Sequence, residues 1–141
     1  GDGPEPPSPG LVDIPALMDR ARATGVDVTY RDEVSSDGIG AGTQLAIYRV
    51  VQESLTNVVK HAPGSAVDVA LVEGAGEVRL TVRNHTPESS PAPIDSGGHG
   101  LVGMRERAAA YGGRCTAGFV EPGVFEVRLD LPVERGTEAR R

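Results

Sequence analysis

Apolar and polar residues alternate along several stretches of this chain and recur at helical spacing in others. Val26, Val28 and Tyr30 alternate with polar neighbours, as do Val67, Val69 and Leu71, then Val78, Leu80 and Val82. A period of two places the apolar set on one face of a strand. The last two runs flank Glu73-Gly74-Ala75-Gly76, which predicts a hairpin. Residues 114–119 and 124–131 predict a second hairpin about Glu121-Pro122-Gly123. Helical spacing appears first at Leu17 and Ala21, after Asp13-Ile14-Pro15. There Asp13 is expected at the N-cap, with Pro15 in the first turn and Gly25 as the stop. Thr43 is expected to cap a long helix that runs to Ala62 and is stopped by Pro63-Gly64. Leu101, Met104, Ala108 and Tyr111 mark a third helix, ended by Gly112-Gly113. These elements predict an α+β chain: a mainly antiparallel sheet with amphipathic helices on one face.

The intervening segments are polar. Residues 1–10 hold Pro4, Pro6, Pro7 and Pro9 and read as an extended linker, while residues 134–141 form a charged, disordered tail. One domain is expected between them, over residues 11–133. Residues 86–98, rich in Pro, Ser and Gly, are expected to form a mobile loop.

Composition narrows the function classes. Aromatics make up only 4% of the chain, so the core must be built from Val, Leu, Ile and Ala. A net charge of −6 argues against a nucleic-acid partner, whose binding surface would be basic. The single cysteine, Cys115, excludes an intrachain disulfide and suits a cytoplasmic setting. No apolar run approaches the length of a membrane span, so no membrane contact by this chain is expected. Lys60 is the only lysine, in a chain where arginine otherwise supplies the positive charge.

The chemistry concentrates in two runs. Within Gln52-Glu53-Ser54-Leu55-Thr56-Asn57-Val58-Val59-Lys60-His61-Ala62, a helix places Arg49, Glu53, Asn57, Lys60 and His61 on one side. Leu45, Tyr48, Val51, Leu55, Val58, Val59 and Ala62 fall on the other. Carboxylate and amide oxygens suit a hard cation such as Mg²⁺, and the bases suit phosphate. On an arbitrary amphipathic helix such a face is most often simply solvated. The second run changes that balance. Gly97-Gly98-His99-Gly100-Leu101-Val102-Gly103-Met104-Arg105-Glu106-Arg107 leads a glycine-rich loop into a helix, whose first N–H groups are free to meet an anion.

Together the two runs resemble the asparagine box and second glycine box of the ATP-binding catalytic domain of bacterial two-component sensor histidine kinases. The likeness is to the nitrate-sensor-like class that partners NarL-type regulators. Tyr111-Gly112-Gly113 resembles the continuation of the second box, and Phe125-Glu126-Val127-Arg128-Leu129-Asp130-Leu131-Pro132 the closing strand. The resemblance runs from about Leu11 to Val133. It implies the Bergerat ATP-binding fold, a two-layer α/β sandwich shared with gyrase, Hsp90 and MutL.

The resemblance also implies roles. Glu53 becomes the general base or polarising group for the histidine that receives phosphate. Asn57 becomes the Mg²⁺ ligand, with the metal bridging the phosphates of ATP. Lys60 and His61 approach phosphate or ribose. Gly98, His99, Gly100, Leu101 and Gly103 cradle phosphate, and residues 86–97 form a lid over the nucleotide. In the first glycine box, Asn84-His85-Thr86-Pro87-Glu88 departs from the family pattern. Asn84 stands where the family has an aspartate that accepts from the adenine amino group. A neutral amide there implies adenine recognition weaker by about 1–2 kcal/mol. Phe125 stands near a position where relatives place a threonine.

None of His61, His85 and His99 sits on a free-standing helix that could accept phosphate. The chain therefore reads as part of a longer receptor. Its expected partners are the phosphoacceptor dimerisation domain of the same parent and a response regulator, and the fragment itself is expected to be monomeric and inactive alone. Two alternatives remain open on sequence: a degenerate nucleotide-sensing or interaction module, and a stand-alone anti-sigma-factor serine kinase.

Overall fold

The computed structural model describes residues 8–94 and 99–133, without the side chain of His99. A 3-10 turn at Leu11–Asp13 leads into α1 (Ile14–Ala23), β1 (Asp27–Asp32), α2 (Ala41–His61), β2 (Ala66–Gly74) and β3 (Glu77–His85). α3 (His99–Ala110), β4 (Arg114–Glu121) and β5 (Val124–Pro132) complete the chain. The five strands form one sheet in the order β1-β2-β3-β5-β4. β1 and β2 run parallel and the other pairs antiparallel. The expected mixed, mainly antiparallel sheet with helices on one face is therefore what the chain adopts.

Strand periodicity decides which face is buried. In register, Leu71 lies beside Leu80 and Leu80 beside Leu129, while Val69, Val82 and Val127 form the next row. All six are buried and belong to one aliphatic core. α1 packs against β1, α2 against β3 and β5, and α3 against β4 and β5. Ile47, Val50 and Val51 of α2 and Met104 of α3 are wholly buried against this face. No helix among the described residues is long and apolar enough to cross a membrane.

The other face of the sheet is polar and carries paired charges. Arg83 reaches Glu126 across β3 and β5 at 2.9 Å, and His85 lies 3.0 Å from Asp68. Asp130 is held between Arg79 at 2.8 Å and Arg128 at 2.9 Å and is only 2% exposed. Burial alone pushes its carboxyl upward. The bonds from Arg79 and Arg128 outweigh that and hold it below the ordinary value of 3.8.

One local expectation is revised and two are refined. Thr43 does not cap α2; the helix begins two residues earlier, with Gly40 at the N-cap and no side-chain cap. Gln44 does the anchoring instead, accepting from Leu11 N at 3.1 Å and donating to Ile39 O at 2.9 Å. Asp13 does sit at the N-cap of α1, but its carboxylate accepts from Gly10 N at 2.8 Å and so closes the preceding 3-10 turn. The first hairpin turns on Ala75 and Gly76, both at positive φ (54° and 77°). That is a two-residue turn matched to strand twist, and Gly76 is the residue suited to it.

Gly113 marks where α3 returns to the sheet. A Cβ there would overlap the Asp130 carbonyl oxygen and come within 2.6 Å of Leu131 Cδ2. Gly113→Ala is expected to destabilise the chain by about 2–3 kcal/mol, read as a lower urea midpoint with unchanged slope. Asp130 gives a pH dependence. A carboxyl depressed by folding stabilises above its unfolded pKa, and that stability is lost as pH falls through the folded value. Stability should therefore decline below about pH 4, and Asp130→Asn should lower stability at pH 7 while flattening this acid limb in a series of urea melts.

Candidate functional site

α2 carries the first set of candidate residues. Its apolar positions seat it on β3 and β5, and this seating turns Ser54 and Asn57 inward together with Val58. Asn57 is only 3% exposed, Glu53 is half-buried at the edge of the packed face, and Arg49, Lys60 and His61 are exposed. The polar stripe is thus split: Asn57 belongs to the core side and the bases to the surface.

α3 brings the second set to the first. A Cβ on Gly100 would lie 2.7 Å from Glu53 Oε2 and 3.7 Å from Asn57 Nδ2. Only glycine lets the first turn of α3 come this close to both side chains. One turn further on, the Met104 sulfur lies 4.0 Å from Ser54 Oγ, inside the core. The start of α3, with its free N–H groups, therefore stands beside the carboxylate and amide of α2. Leu101 is half-buried, and Gly103 is covered by Arg107. Gly98 lies outside the described residues.

β3 supplies the third component. Asn84 sits on the buried face at the strand end, opposite Phe125 of β5, and is 2% exposed. Ser54, Asn57, Val58, Val82, Asn84, Phe125 and Val127 surround a small cavity that Pro93 and Ile94 close from the loop side. Its volume is about 10 Å³, room for at most one water molecule. The loop starts at Thr86, whose N–H donates to Gly123 O at 2.8 Å, and Gly123 takes a φ of 81° at that approach.

The hydrogen-bond accounting singles this place out. Five buried side-chain polar atoms among the described residues have no partner: Tyr30 Oη, Asn57 Oδ1, Asn84 Oδ1, Asn84 Nδ2 and Thr86 Oγ1. All but the tyrosine belong to Asn57, to Asn84 or to Thr86 two residues beyond it. Buried polar groups in folded chains are almost always satisfied, so a cluster of exceptions marks a place where water or a ligand supplies the missing partners. The donor set fits a nucleotide. An apolar slot with one amide at its inner end suits a planar base. An amide oxygen, a carboxylate and a helix start at the other end suit phosphates and a cation. Among the described residues no three His, Cys, Asp or Glu side chains form a metal cluster, so a cation there would need phosphate oxygens to complete its shell.

Of the expected site residues, Glu53, Asn57, Asn84 and Gly100 are brought to this one region. Lys60 instead borders a separate groove between α1 and α2, with Leu17, Arg20 and Ala21. His61 is exposed at the end of α2 and does not line the cavity. Sequence reasoning missed Ser54, Pro93 and Ile94 as parts of the slot. An isolated isoleucine in a Pro- and Ser-rich loop was the available signal for the last of these.

Comparison with known proteins agrees with this geometry. Residues 42–137 match the family model described as histidine kinase-, DNA gyrase B-, and HSP90-like ATPase. The chain is similar to the sensor histidine kinase YxjM of Bacillus subtilis (strain 168), 33% identical over 87 residues, or 62% of this chain and 21% of that protein. It is also similar to the nitrate/nitrite sensor protein NarX of Escherichia coli (strain K12), 32% identical over 92 residues, 63% of this chain and 15% of that one. The chain thus spans about a fifth or less of the length of these two relatives. In fold it resembles the histidine kinase domain of the Erythrobacter litoralis EL346 blue-light activated histidine kinase. The TM-score is 0.65 at 19% identity, covering 93% of this chain and 66% of that one.

The orphaned amide gives a direct prediction. A buried, unpartnered amide costs stability, and replacing it with an apolar group of similar shape removes that cost. Asn84→Leu is expected to raise the stability of the ligand-free chain by about 1–2 kcal/mol in chemical denaturation, while abolishing nucleotide binding in a titration.

Proposed function

The chain belongs to the family of histidine kinase-, DNA gyrase B-, and HSP90-like ATPases, and on that premise we propose that it is the catalytic domain of a two-component sensor histidine kinase. It binds ATP and directs the γ-phosphate to a histidine on a separate dimerisation domain of its parent, for relay to a response regulator. The observation that carries this reading is the juxtaposition of Glu53, Asn57 and Gly100 beside a slot whose buried amides lack partners. Similarity to sensor kinases such as YxjM and NarX supports it over a stand-alone serine kinase or a degenerate nucleotide-sensing or interaction module.

Each group then has a task. The base enters between Phe125 and the aliphatic side chains of the slot, with Asn84 at its polar edge. This requires Pro93 and Ile94 to move out, so residues 86–94 act as part of the lid. Asn57 Oδ1 would hold Mg²⁺ together with phosphate oxygens, and the metal would neutralise charge on the transferring group. The first turn of α3, with His99, Gly100, Leu101 and Gly103, would cradle phosphate through backbone N–H groups, together with Gly98, which precedes it in the sequence. Lys60 and His61, at the exposed end of α2 and outside the slot, would act on the nucleotide only through their charge.

Glu53 faces the phosphate end. In the transfer, the bond from γ-phosphorus to the bridging oxygen breaks as an imidazole nitrogen bonds phosphorus, and ADP leaves. The imidazole must shed its N–H proton, and the Glu53 carboxylate is placed to accept or polarise it. The acceptor histidine is supplied from outside these residues, so the isolated domain binds ATP without turning it over.

The test joins the domain to its acceptor helices and follows phosphate transfer from ATP. Asn57→Ala should reduce transfer by about 100-fold or more, with the fold retained by circular dichroism. Undiminished transfer would remove Asn57 from the metal site.

A further inference from the structure

The inner end of the slot is less selective than a nucleotide site built around a carboxylate. Asn84 presents both ends of its amide to a cavity whose other surfaces are Val58, Val82, Phe125, Val127, Pro93 and Ile94. These side chains offer no hydrogen bonds to a base edge. Of the remaining two lining residues, Ser54 lies against the Met104 sulfur, and Asn57 has its amide nitrogen toward Gly100 at the phosphate end. With Asn57 Oδ1 assigned to the cation, Asn84 is therefore the amide left to read the base. The unpartnered Thr86 Oγ1, two residues beyond it, is a hydroxyl that can donate or accept and so does not select between base edges. Neither the oxygen nor the nitrogen of the Asn84 amide has a partner among the described residues, so none of those residues fixes which end points where.

We infer that the slot accepts 6-oxopurine nucleotides alongside ATP, and that Asn84 is the residue that sets this tolerance. The inference rests on reading the slot as a purine site. An adenine edge places the N6 amino donor beside the N1 acceptor. A 6-oxopurine reverses the order, with an O6 acceptor beside an N1–H donor. A carboxylate can only accept, so it welcomes the amino group and repels O6. A carboxamide carries one donor and one acceptor side by side. It pairs with adenine in one orientation and with a 6-oxopurine after a half-turn about its terminal bond. The two bases have the same outline at position 6, so the apolar surfaces cannot tell them apart.

The probe is inosine triphosphate, which has the 6-oxo edge without the extra 2-amino group of guanine. Calorimetric titration of the 141-residue chain with Mg²⁺-ATP and Mg²⁺-ITP is expected to give dissociation constants within about fivefold of each other. In Asn84→Asp, ATP should tighten and ITP weaken, widening the ratio by about tenfold or more. Tight ATP binding with ITP weaker by about 30-fold or more in the unmodified chain would overturn the inference and leave the purine site standing. Failure to bind either nucleotide would overturn the purine reading itself, and this inference with it. The ratio in the unmodified chain decides the matter even if a buried aspartate prevents the variant from folding.

Discussion

A helix can carry an amide into an apolar core only if something answers its hydrogen bonds, and Asn57 is where that constraint falls. α2 must lie on β3 and β5 to bury Ile47, Val50, Val51 and Val58. The same seating buries Asn57, whose Oδ1 finds no partner among the described residues. Asn84 meets the same condition from the sheet, because its position on β3 is in phase with Val78, Leu80 and Val82. The alternation that builds the core thus also drives two amides into it. With Gly100 admitting α3 to within reach of both Glu53 and Asn57, four of the five unpartnered buried atoms among the described residues gather in this one region.

Charge is distributed to match. The chain carries −6 overall, yet the described carboxylates with the firmest partners lie on the open face of the sheet. Glu126 and Asp130 are tied there by Arg83, Arg79 and Arg128. The slot itself is lined by amides and aliphatic side chains, with Glu53 as the carboxylate beside it. A triphosphate approaching this end meets helix N–H dipoles and one acid, so a divalent cation would relieve the repulsion between Glu53 and the phosphates. This explains why an acidic chain can serve an anionic nucleotide: the opposing charge is local and can be supplied with the ligand.

Much of this was legible in the sequence because strand periodicity is simple. Val67, Val69 and Leu71 alternate without exception, and their burial follows directly. The two motif runs announced Glu53, Asn57 and Gly100 by spacing. What escaped had tertiary causes. A helical wheel assigns Asn57 to the polar stripe, but the width of the buried face depends on what α2 lies against, and β3 and β5 together cover more of it than an even split allows. Thr43 looked like a cap because its hydroxyl suits one, whereas Gly40 and Gln44 fix the start of α2 through backbone shape and a long-range bond to Leu11. The filling of the slot by Pro93 and Ile94 depends on where a loop without periodicity lands, which no local pattern encodes.

That filling has an energetic consequence. Pro93 and Ile94 cover the apolar surfaces of the slot and so recover part of the burial that a base would give. They bring no polar group to Asn84 or Asn57, so the closed form leaves the hydrogen-bond deficit in place. On the proposed reading a nucleotide would satisfy both requirements, burying its base and meeting the amides. The polar atoms then weigh on the equilibrium between loop and ligand, since the loop already recovers part of the apolar contribution. On the same reading, selectivity among ligands would fall to the polar edge at Asn84, because the apolar surfaces do not distinguish one flat, buried base from another.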